Sequence, residues 1–524
     1  MTRFSILVPT RNRLELLGYA IETVRKQDFQ DWEIIVSDNA SEQDVRSYVE
    51  SLRDDRITFL RTEAFVSVTE NWNRALEKSV GDYVIMLGDD DGLFKGSLKE
   101  LNRLIRDFSN PDFVYTDAVQ FAYPNVFPHE PKGFFLWGYA PFFSARDSTP
   151  FWLRQTEAKE LVRVSCDMRL ACMYNMQHIV ISRGMVKALS EYGRFFQSPY
   201  PDYYATNALF LKARRILMNP VPLTIIGISP KSFGYFYVNR KEGEGNSFLN
   251  NPLEPDIRNR LSDVLLPGSA LYTSWLAAME TLKKNFGSVE RISVNYRRYR
   301  MIQILAAHEA GDETIASVLP HLTVLERMAY RVFRAGMGFL QNILDGPEWV
   351  ELCRSLHRYW DPNPEYDSFK TICSHRTILE LFEHERFSAP EMYRERKRES
   401  VENRQNPIRV GLLFQRAVRY LDNILRGESR VNIVEPKNWE TVSGVTRVKV
   451  RVNGKFLPHL EGRIFSSKNP DDCLKCFSLV RTQSRHDLIG IPVGGLPEGA
   501  YVIRIYDKQA NQDRAMVGVH VVFS

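Results

Sequence analysis

The stretch FSILVPTRNRLELLGYAIETVRKQDFQDWEIIVSDNAS, residues 4–41, decides the fold of the first part of the chain. Its two short apolar runs, 4–9 and 32–37, are typical of buried strands. Between them, apolar residues recur at the spacing of one helical face: Leu14, Leu17, Ile21 and Val24. Because parallel strands need a crossover, usually a helix, this pattern predicts a strand–helix–strand unit in a parallel sheet.

Similar units follow along the chain. Apolar runs at 57–60, 83–87 and 112–115 predict further strands, and helical patterns separate them. We therefore predict an α/β domain over residues 1–250, with a mostly parallel sheet and helices on both of its faces.

Residues 120–176 interrupt this alternation. They are rich in proline and aromatic residues, so we predict an irregular insertion over the sheet on the acceptor side. Two roles stay open for it: it lines an acceptor cleft, or it is an aromatic flap that packs without a ligand. Strand character returns at 178–182 and 214–229.

The second half of the chain has a different pattern of apolar and polar residues. Residues 254–428 read as helix after helix and predict an all-α segment. Residues 432–524 alternate apolar and polar positions, and Asn453-Gly454 is a strong hairpin signal, so we predict a small antiparallel β-sandwich. We expect this sandwich to assemble a homo-oligomer or to bind glycan.

One segment of the helical region is both basic and amphipathic. Within residues 393–427, Arg409, Arg416, Arg419 and Arg426 are interleaved with apolar residues. Such a helix either lies on an anionic membrane or is a final bundle helix with a solvated basic face.

Composition excludes several classes of protein. The 524 residues carry a formal net charge of +5, which suits an anionic ligand and is no signature of nucleic-acid binding. No apolar run is long enough to span a bilayer, and the N-terminus lacks a signal peptide. We therefore expect a cytoplasmic protein, with the inner face of the membrane as a further candidate place. The Cys473/Cys476 pair has no second pair of ligands, which disfavours a zinc site.

Polar residues follow three of the predicted strands. They are Thr10 to Arg13, Asp38 with Asn39, and the run Gly88-Asp89-Asp90-Asp91. In open parallel sheets, ligands bind beyond the carboxyl ends of the strands. Three adjacent carboxylates near a core need a positive partner, and Mg²⁺ or Mn²⁺ bridges carboxylates to phosphate oxygens. This edge of the sheet therefore predicts a metal-bound diphosphate. The absence of GxxxxGK[ST] and GxGxxG argues against P-loop enzymes and classical dehydrogenases.

At these residues a family becomes recognisable. The stretch SILVPTRNRLELLGYAIETVRKQDFQDWEIIVSDNAS, followed by NWNRALEKSVGDYVIMLGDDDGL, closely resembles the family 2 glycosyltransferases with a GT-A fold. The resemblance covers residues 3–235, and its motifs occur in the family's order. It implies that the first two strand ends bind the base and ribose of a nucleotide sugar, and that the acidic motif binds a metal and the diphosphate.

The resemblance also implies roles for individual residues. Pro9 and Thr10 match the shelf for the nucleobase, and Arg11 or Arg13 meets base or phosphate. Asp38 matches the aspartate that binds uracil or ribose, although a strand-end turn or helix cap is its alternative role. Further candidates for nucleotide-sugar binding are Asn39, Asn73 and Asp89. The alternative for Asn73 is an ordinary surface position on a helix.

The acidic run departs from the family pattern. Gly88 stands where the family has its first aspartate, and Asp89 is the candidate to replace that carboxylate. Asp90 falls on the principal metal-ligand position and Asp91 follows it, so Asp90 and Asp91 are the candidate ligands of Mn²⁺ or Mg²⁺. Which of the three touches the metal stays open, and a solvated turn is the alternative reading.

The resemblance also implies a base for the acceptor hydroxyl. Asp202 stands where the family places an aspartate at the start of a helix, with Pro201 in place of the usual glutamate. Its alternative role is a helix cap. Lys231 and Ser232 lie in a segment that resembles the one closing over the donor phosphates.

Together these residues predict a metal-dependent, inverting glycosyltransferase. It would transfer a sugar from a nucleotide sugar, preferably a UDP-sugar, to a hydroxyl of a surface glycan or polymer. Two alternatives stay open: a glycan-binding or scaffold protein with a degenerate GT-A domain, and a nucleotidyltransferase.

Overall fold

The computed structural model describes residues 3–127, 131–137, 149–239, 242–341, 369–372 and 375–384, together with strand segments between 430 and 522. The predicted basic helix within residues 393–427 lies outside these ranges. The chain divides into two compact units, the first formed by residues 1–148, 158–344 and 360–404. The second contains residues 149–157, 345–359 and 405–524.

Four parallel strands form the part of the sheet that the sequence predicts most directly. They are β1 (Phe4–Thr10), β2 (Trp32–Asp38), β3 (Ile57–Arg61) and β4 (Tyr83–Met86). β1 lies between β2 and β4 and is parallel to both, and β3 extends the sheet beyond β2. The helices between these strands are α1 (Leu14–Arg25), α2 (Val45–Ser51) and α3 (Val68–Lys78). The carboxyl ends of β1, β2 and β4 therefore meet at one edge, as predicted.

The remaining strands make the sheet mixed. In chain order they are β5 (Gly92–Leu93), β6 (Phe113–Ala122), β7 (Phe134–Trp137), β8 (Phe151–Leu153), β9 (Ile179–Ser182), β10 (Ile216–Ile228) and β11 (Phe369–Ile372). β9 runs antiparallel to both β4 and β6, whereas β10 runs parallel to β6. The main path through the sheet is β11-β7-β6-β9-β4-β1-β2-β3. A mostly parallel α/β architecture with an antiparallel addition confirms the predicted GT-A class of fold.

The helices after β4 complete the α/β part and continue beyond it. They are α4 (Ser97–Asp107), α5 (Gln155–Cys166), α6 (Arg183–Leu189), α7 (Pro201–Lys212), α8 (Phe233–Val238), α9 (Glu242–Leu249), α10 (Pro255–Arg260), α11 (Ala270–Phe286), α12 (Tyr296–Ala310), α13 (Asp312–Val318), α14 (Val324–Gln341) and α15 (Ile378–His384). Among the described residues, no helix combines the length and the apolar character that a bilayer span requires.

Two predictions about these segments are wrong in part. The range 120–176 is not irregular throughout, since it contains β7, which pairs with β6, and the twelve-residue helix α5. The range 254–428 is not all helical, because β11 pairs with β7 at the end of the sheet. Ile378 and Leu381 of α15 also join a buried apolar cluster that contains Phe94 and Phe121. Local patterns missed β11 because its pairing with β7, which is far away in sequence, creates that strand.

The strands between 430 and 522 form two sheets. They are β12 (Arg430–Glu435), β13 (Glu440–Ser443), β14 (Val448–Asn453), β15 (Leu460–Ser466), β16 (Cys473–Ser478), β17 (Val480–Arg481), β18 (Asp487–Gly490), β19 (Gly499–Asp507) and β20 (Gln512–Val522). One sheet has the order β12-β14-β18-β17 and the other β13-β20-β19-β15-β16. The β13/β20 pair is parallel, so the strands are not all antiparallel. β14 and β15 lie in different sheets, so the hairpin predicted at Asn453-Gly454 is wrong.

Candidate active site

A cavity of about 540 Å³ opens at the carboxyl ends of β1 and β4. Nine of the eleven predicted site residues line it: Pro9, Thr10, Arg11, Arg13, Asn39, Asp89, Asp90, Asp91 and Asp202. The structure does not bring the side chains of Asp38 and Asn73 to this cavity. The strand ends and the start of α7 thus contribute to one site, although more than 100 residues separate Asp91 from Asp202 in sequence.

The positive partner of the acidic run is an arginine of the chain itself. The Arg13 Nη2 atom lies 2.9 Å from Asp89 Oδ1, and Arg13 Nη1 lies 3.3 Å from Asp90 Oδ2. Burial alone would lower the pKa of Arg13, but the charges of Asp89 and Asp90 outweigh it and raise that pKa. The Thr10 hydroxyl donates a further hydrogen bond to Asp89 Oδ2 at 2.7 Å. This ion-pair group joins the end of β1 to the acidic run.

Both oxygens of the Asp91 carboxylate accept hydrogen bonds from other groups of the protein. Its Oδ2 accepts hydrogen bonds from the Gly88 amide at 2.7 Å and from Gln177 Nε2 at 2.9 Å, and its Oδ1 accepts one from the Gly227 amide at 2.8 Å. These bonds tie the acidic run to β10 and to the segment before β9. Asp91 therefore holds the loop together and has little capacity left for a metal.

Two glycines permit this packing. A Cβ at position 227 would lie 1.8 Å from the Asp90 carbonyl oxygen, so β10 can pass the acidic run only with glycine there. A Cβ at position 88 would lie 2.6 Å from Asp91 Oδ2. The missing first aspartate of the family pattern is thus replaced by a close backbone contact to Asp91.

Asp90 is the best candidate for a metal ligand. Its Oδ2 accepts a hydrogen bond from the Ser229 hydroxyl at 2.7 Å, and its side chain is 9% exposed while that of Asp89 is fully buried. Among the described residues, no group of three or more His, Cys, Asp or Glu side chains forms a site for a metal ion. Mg²⁺ commonly takes only one or two carboxylates and completes its shell with water and substrate phosphates. Asp90 with Asp89 fits that kind of binding, since both line the cavity.

Burial raises the proton affinity of the acidic run. The pKa of Asp89 rises to about 6 through burial and the neighbouring Asp90 charge, while Arg13 and Thr10 oppose the rise. The pKa of Asp91 rises to about 7 for the same two reasons, against the hydrogen bonds from Gly227, Gln177 and Gly88. The run is thus electrostatically crowded even with Arg13 in place, and a further cation would relieve it.

At the end of β2, the side chains of Asp38 and Asn39 bond to other groups of the protein. The Asp38 side chain is fully buried; its Oδ2 pairs with Arg61 Nη1 at 2.5 Å, and its Oδ1 accepts a hydrogen bond from the Ser41 amide. Asn39 lines the cavity, but its amide group bonds to the backbone of Val66 in both directions. In this arrangement Asp38 has the geometry of the strand-end turn that was its alternative role.

Arg11 and Asn73 differ in how they meet the cavity. The Arg11 guanidinium stacks on the Phe65 ring, with its carbon 3.5 Å from the ring centroid, and lines the cavity. Asn73 instead donates to the Phe196 carbonyl at 2.8 Å and accepts from the Phe196 amide at 3.1 Å. It therefore ties α3 to the segment that precedes α7.

Asp202 lies in the first turn of α7, directly after Pro201 at the helix start. Its side chain is buried, and burial raises its pKa to about 7, while backbone hydrogen bonds from Asp202 and Tyr203 act in the opposite direction. No ion pair to Asp202 occurs among the described residues. A carboxylate whose pKa is close to neutral can accept a proton from a substrate and release it afterwards.

An aromatic wall lies beside Asp202. Trp72, Tyr200, Tyr203 and Phe233 line the cavity, and the rings of Tyr200 and Tyr203 stack at 4.2 Å. The Trp72 ring packs edge-on against Phe196 at 5.2 Å. The cavity therefore joins a charged group around Arg13 and Asp90 to an apolar surface around Asp202.

The segment after β10 reaches across the β1 end. Lys231 Nζ donates a hydrogen bond to the Asn12 carbonyl at 2.8 Å, and Ser232 lines the cavity. Further along, Asn251 Nδ2 bonds to Thr69 Oγ1 and to the Pro199 carbonyl. These contacts connect Lys231 to the end of β1, and Asn251 to α3 and to the segment before α7.

Sequence analysis did not identify four residues that the site uses: Trp72, Gln177, Gly227 and Ser229. Trp72 is one residue before Asn73, and only the observed helix phase decides which of the two faces the cavity. Gly227 and Ser229 lie at the end of β10, which the sequence placed as the last strand of the domain. A search of every strand end for polar and glycine residues would have found those two, whereas Gln177 carries no local signal.

A family model described as glycosyl transferase family 2 matches residues 5–157. This range includes the strand ends and the acidic run, and it ends before Asp202. The match confirms the family resemblance read from the motifs.

Two curated relatives match parts of the same region. A GalNAc(5)-diNAcBac-PP-undecaprenol beta-1,3-glucosyltransferase from Campylobacter jejuni is 41% identical over 104 residues, which are 19% of this chain and 34% of the relative. The putative colanic acid biosynthesis glycosyl transferase WcaA from Escherichia coli is 35% identical over 89 residues, or 17% of this chain and 32% of the relative. The chain thus spans about a third of the length of these relatives.

Among solved structures, the chain is similar to TarS 1-349 from S. aureus in complex with UDP-GlcNAc. The two share 17% identity and a TM-score of 0.34, over 60% of this chain and 81% of that one.

Proposed function

We propose, on the premise that residues 5–157 match the glycosyl transferase family 2 model, that the chain is a metal-dependent, inverting glycosyltransferase. Its donor is a nucleotide sugar, and its acceptor is a hydroxyl of a surface glycan or polymer. One observation carries the proposal: a single cavity is lined by the ion-pair group Arg13/Asp89/Asp90 and by Asp202, a buried carboxylate with a pKa of about 7.

The charged side of the cavity fits the donor. Arg11 and Arg13 offer positive charge to a diphosphate. The Arg13 guanidinium can release a carboxylate and bind a phosphate oxygen instead, because both groups accept hydrogen bonds from its planar set of N–H donors. Asp90, with Asp89, would hold the divalent cation. That cation, when bound, supplies charge neutralisation for the leaving diphosphate.

The apolar side of the cavity fits the acceptor. In the proposed step, an acceptor hydroxyl oxygen forms a bond to the anomeric carbon while the bond from that carbon to the diphosphate oxygen breaks. Asp202 takes the hydroxyl proton, and the diphosphate leaves with the electron pair of the broken bond. Attack from the face opposite the diphosphate inverts the anomeric configuration.

The names of two relatives support the choice of substrates. One acts on GalNAc(5)-diNAcBac-PP-undecaprenol, and the other is a UDP-Glc:alpha-D-GlcNAc-diphosphoundecaprenol beta-1,3-glucosyltransferase, WfgD, from Escherichia coli. WfgD is 28% identical over 112 residues, which are 21% of this chain and 44% of that protein. A UDP-sugar donor and a glycan carried on a polyprenyl diphosphate follow as the substrate class to test first.

Titration of UDP into the full-length protein tests the donor site. With Mn²⁺ present we expect clear binding, and with a chelator we expect binding to weaken strongly. Asp90→Asn should abolish the metal-dependent part of the binding, whereas Asp82→Asn, a surface change at a half-exposed side chain, should not. Undiminished UDP binding and sugar transfer in chelator would refute the metal dependence.

The strands between 430 and 522 carry a separate proposal. We propose that they assemble a homo-oligomer, with glycan binding as their alternative role. Light scattering of the full-length chain and of a chain truncated before residue 430 tests this. A monomer at micromolar concentration for the full chain would leave glycan binding as the role to examine.

A further inference from the structure

Helix α14 (Val324–Gln341) carries large apolar side chains on the side that packs against its own unit and also on an exposed side. A surface helix usually buries one apolar stripe and turns a polar face to water. In α14 one stripe packs in the usual way, but the opposite side also carries large apolar side chains.

The packed stripe is clear from its contacts. Tyr330 joins the buried cluster formed by residues such as Ile304, Val318 and Leu322, and Phe333 packs against the same cluster. The Tyr330 hydroxyl also lies 3.1 Å from His308 Nδ1. This stripe docks the helix to its own unit, and the exposed apolar side chains of the helix take no part in that contact.

The second stripe consists of Val324, Leu325, Met328 and Val332, which are 66%, 78%, 58% and 74% exposed. At 3.6 residues per turn these positions fall on one side of the helix, about opposite Tyr330 and Phe333. Only two other large hydrophobic residues in the described part of the chain, Val80 and Val289, are exposed to a similar degree, and they stand singly. Scattered exposed residues need no explanation, whereas four on one helical face mark an interaction surface.

Basic residues flank this stripe. Arg327, Arg331 and Arg334 follow one edge of it along the helix, and Arg327 and Arg331 are exposed. The acidic residue of the first turn, Glu326, does not offset them, because it pairs with Arg300 at 2.7 Å and also accepts hydrogen bonds from Thr323. Asp312 lies 3.5 Å from Arg334 at the far end of the stripe. The exposed side of α14 is therefore apolar along its centre and positive along one edge.

We propose that this side of α14 lies in the interface of an anionic lipid bilayer. Apolar side chains would enter the acyl boundary while the arginines meet anionic headgroups, which is the combination that surface-lying helices use. An apolar stripe alone would fit a second copy of the chain equally well; the adjoining positive edge selects the membrane, because an identical positive edge on a second copy would be repelled. The inference does not depend on the glycosyltransferase proposal, since it concerns a different surface.

Vesicle flotation of the full-length protein tests the proposal. We expect the protein to float with vesicles that contain phosphatidylglycerol, to float much less with pure phosphatidylcholine, and to be released as salt is raised. Leu325→Glu and Met328→Glu should each weaken binding about tenfold or more, because each removes one apolar side chain from the interface and adds a negative charge. Val289→Glu is the matched control, since Val289 and Met328 are both 58% exposed, and it should bind as the unmodified protein does.

Two outcomes would overturn the proposal. The first is the absence of flotation with anionic vesicles, or equal loss for Val289→Glu and Met328→Glu. The second is a dimer in light scattering that Leu325→Glu converts to a monomer without any vesicle binding by the unmodified protein. UDP binding in solution should be unchanged in Leu325→Glu, so a failure of this test is distinguishable from a failure of the proposed function.

Discussion

The acidic run Asp89–Asp91 and the single Asp202 are two groups of buried carboxylates that line one cavity, yet their surroundings are opposite. The run is met by Arg13, Thr10, Ser229 and backbone amides. Among the described residues, Asp202 accepts only backbone hydrogen bonds within the first turn of its own helix, and burial raises its pKa to about 7.

The difference separates binding from proton transfer. A carboxylate held by fixed donors and a paired arginine keeps its position, which suits it to hold a cation or, through that cation, a phosphate, although burial also raises the pKa values of Asp89 and Asp91. A carboxylate that is buried without an ion pair gains and loses a proton near neutral pH. We therefore expect variants at the acidic run to lose binding or stability, and variants at Asp202 to lose catalytic rate.

The largest expected effect is on the rate of sugar transfer and follows replacement of Asp202. Asp202→Asn should lower the rate constant of sugar transfer by roughly 10²–10⁴, the usual contribution of a general base. The affinity for UDP, measured by titration calorimetry with Mn²⁺, should stay within a factor of about two. Loss of UDP binding in this variant would show that Asp202 belongs with the binding group and does not act only in proton transfer.

Removing the paired arginine should act on stability as well as on binding. Arg13→Gln leaves Asp89 and Asp90 buried without their cation, and breaking a buried pair from one side costs about 3 kcal/mol of unfolding free energy. Urea unfolding measures this loss.

A double variant provides the control for Arg13. In Arg13→Gln/Asp89→Asn the uncompensated charge is removed, so part of the lost stability should return. Simply additive losses would mean that the two side chains do not compensate each other in solution.

The contrast between the acidic run and Asp202 could be predicted only in part from the sequence. That the ends of β1, β2 and β4 meet follows from parallel pairing, so the motifs alone brought Thr10, Arg13 and Asp90 to one edge. The pairing of Arg13 with the aspartates could not be read from spacing, and a metal was predicted in the role that the arginine also fills. Gln177 and Gly227 reach Asp91 from 86 and 136 positions away, and only the packed sheet sets such contacts.

Two local predictions within the fold were wrong for a related reason. The Asn453-Gly454 signal is local, but β14 and β15 pair with other strands in separate sheets. Likewise β11, β7 and α15 become part of the α/β unit through contacts with distant segments. Periodicity identifies an element, and it carries no information about which distant element will pair with it.

We expect a moderate effect of Asp202 on how the free energy of unfolding depends on pH. The folded-state pKa of Asp202 is about 7, above its ordinary value of 3.8, so the native state holds a proton that the unfolded chain has lost between these values. Stability contributed by this group therefore falls as pH rises toward 7. Asp202→Asn removes the penalty, so its unfolding free energy relative to the unmodified protein should rise by about 2 kcal/mol between pH 5 and pH 8. A difference that does not change with pH would mean that Asp202 is already ionised throughout.

The smallest expected effect concerns the support of Asp202. Asn73 bonds to both the amide and the carbonyl of Phe196, and the segment that follows leads into α7. Asn73→Ala removes these bonds and should cost about 1.5 kcal/mol of unfolding free energy, because buried backbone groups lose their partners. UDP affinity should stay unchanged, since the Asn73 side chain does not line the cavity.

Asn71→Ala is the matched variant on the same helix, because Asn71 also bonds to a buried partner, Ser37, but lines the cavity. If the two asparagines differ as described, both variants lose stability and only Asn71→Ala weakens UDP binding. Weaker UDP binding in Asn73→Ala with normal stability would instead support the nucleotide contact that the family resemblance implies for Asn73.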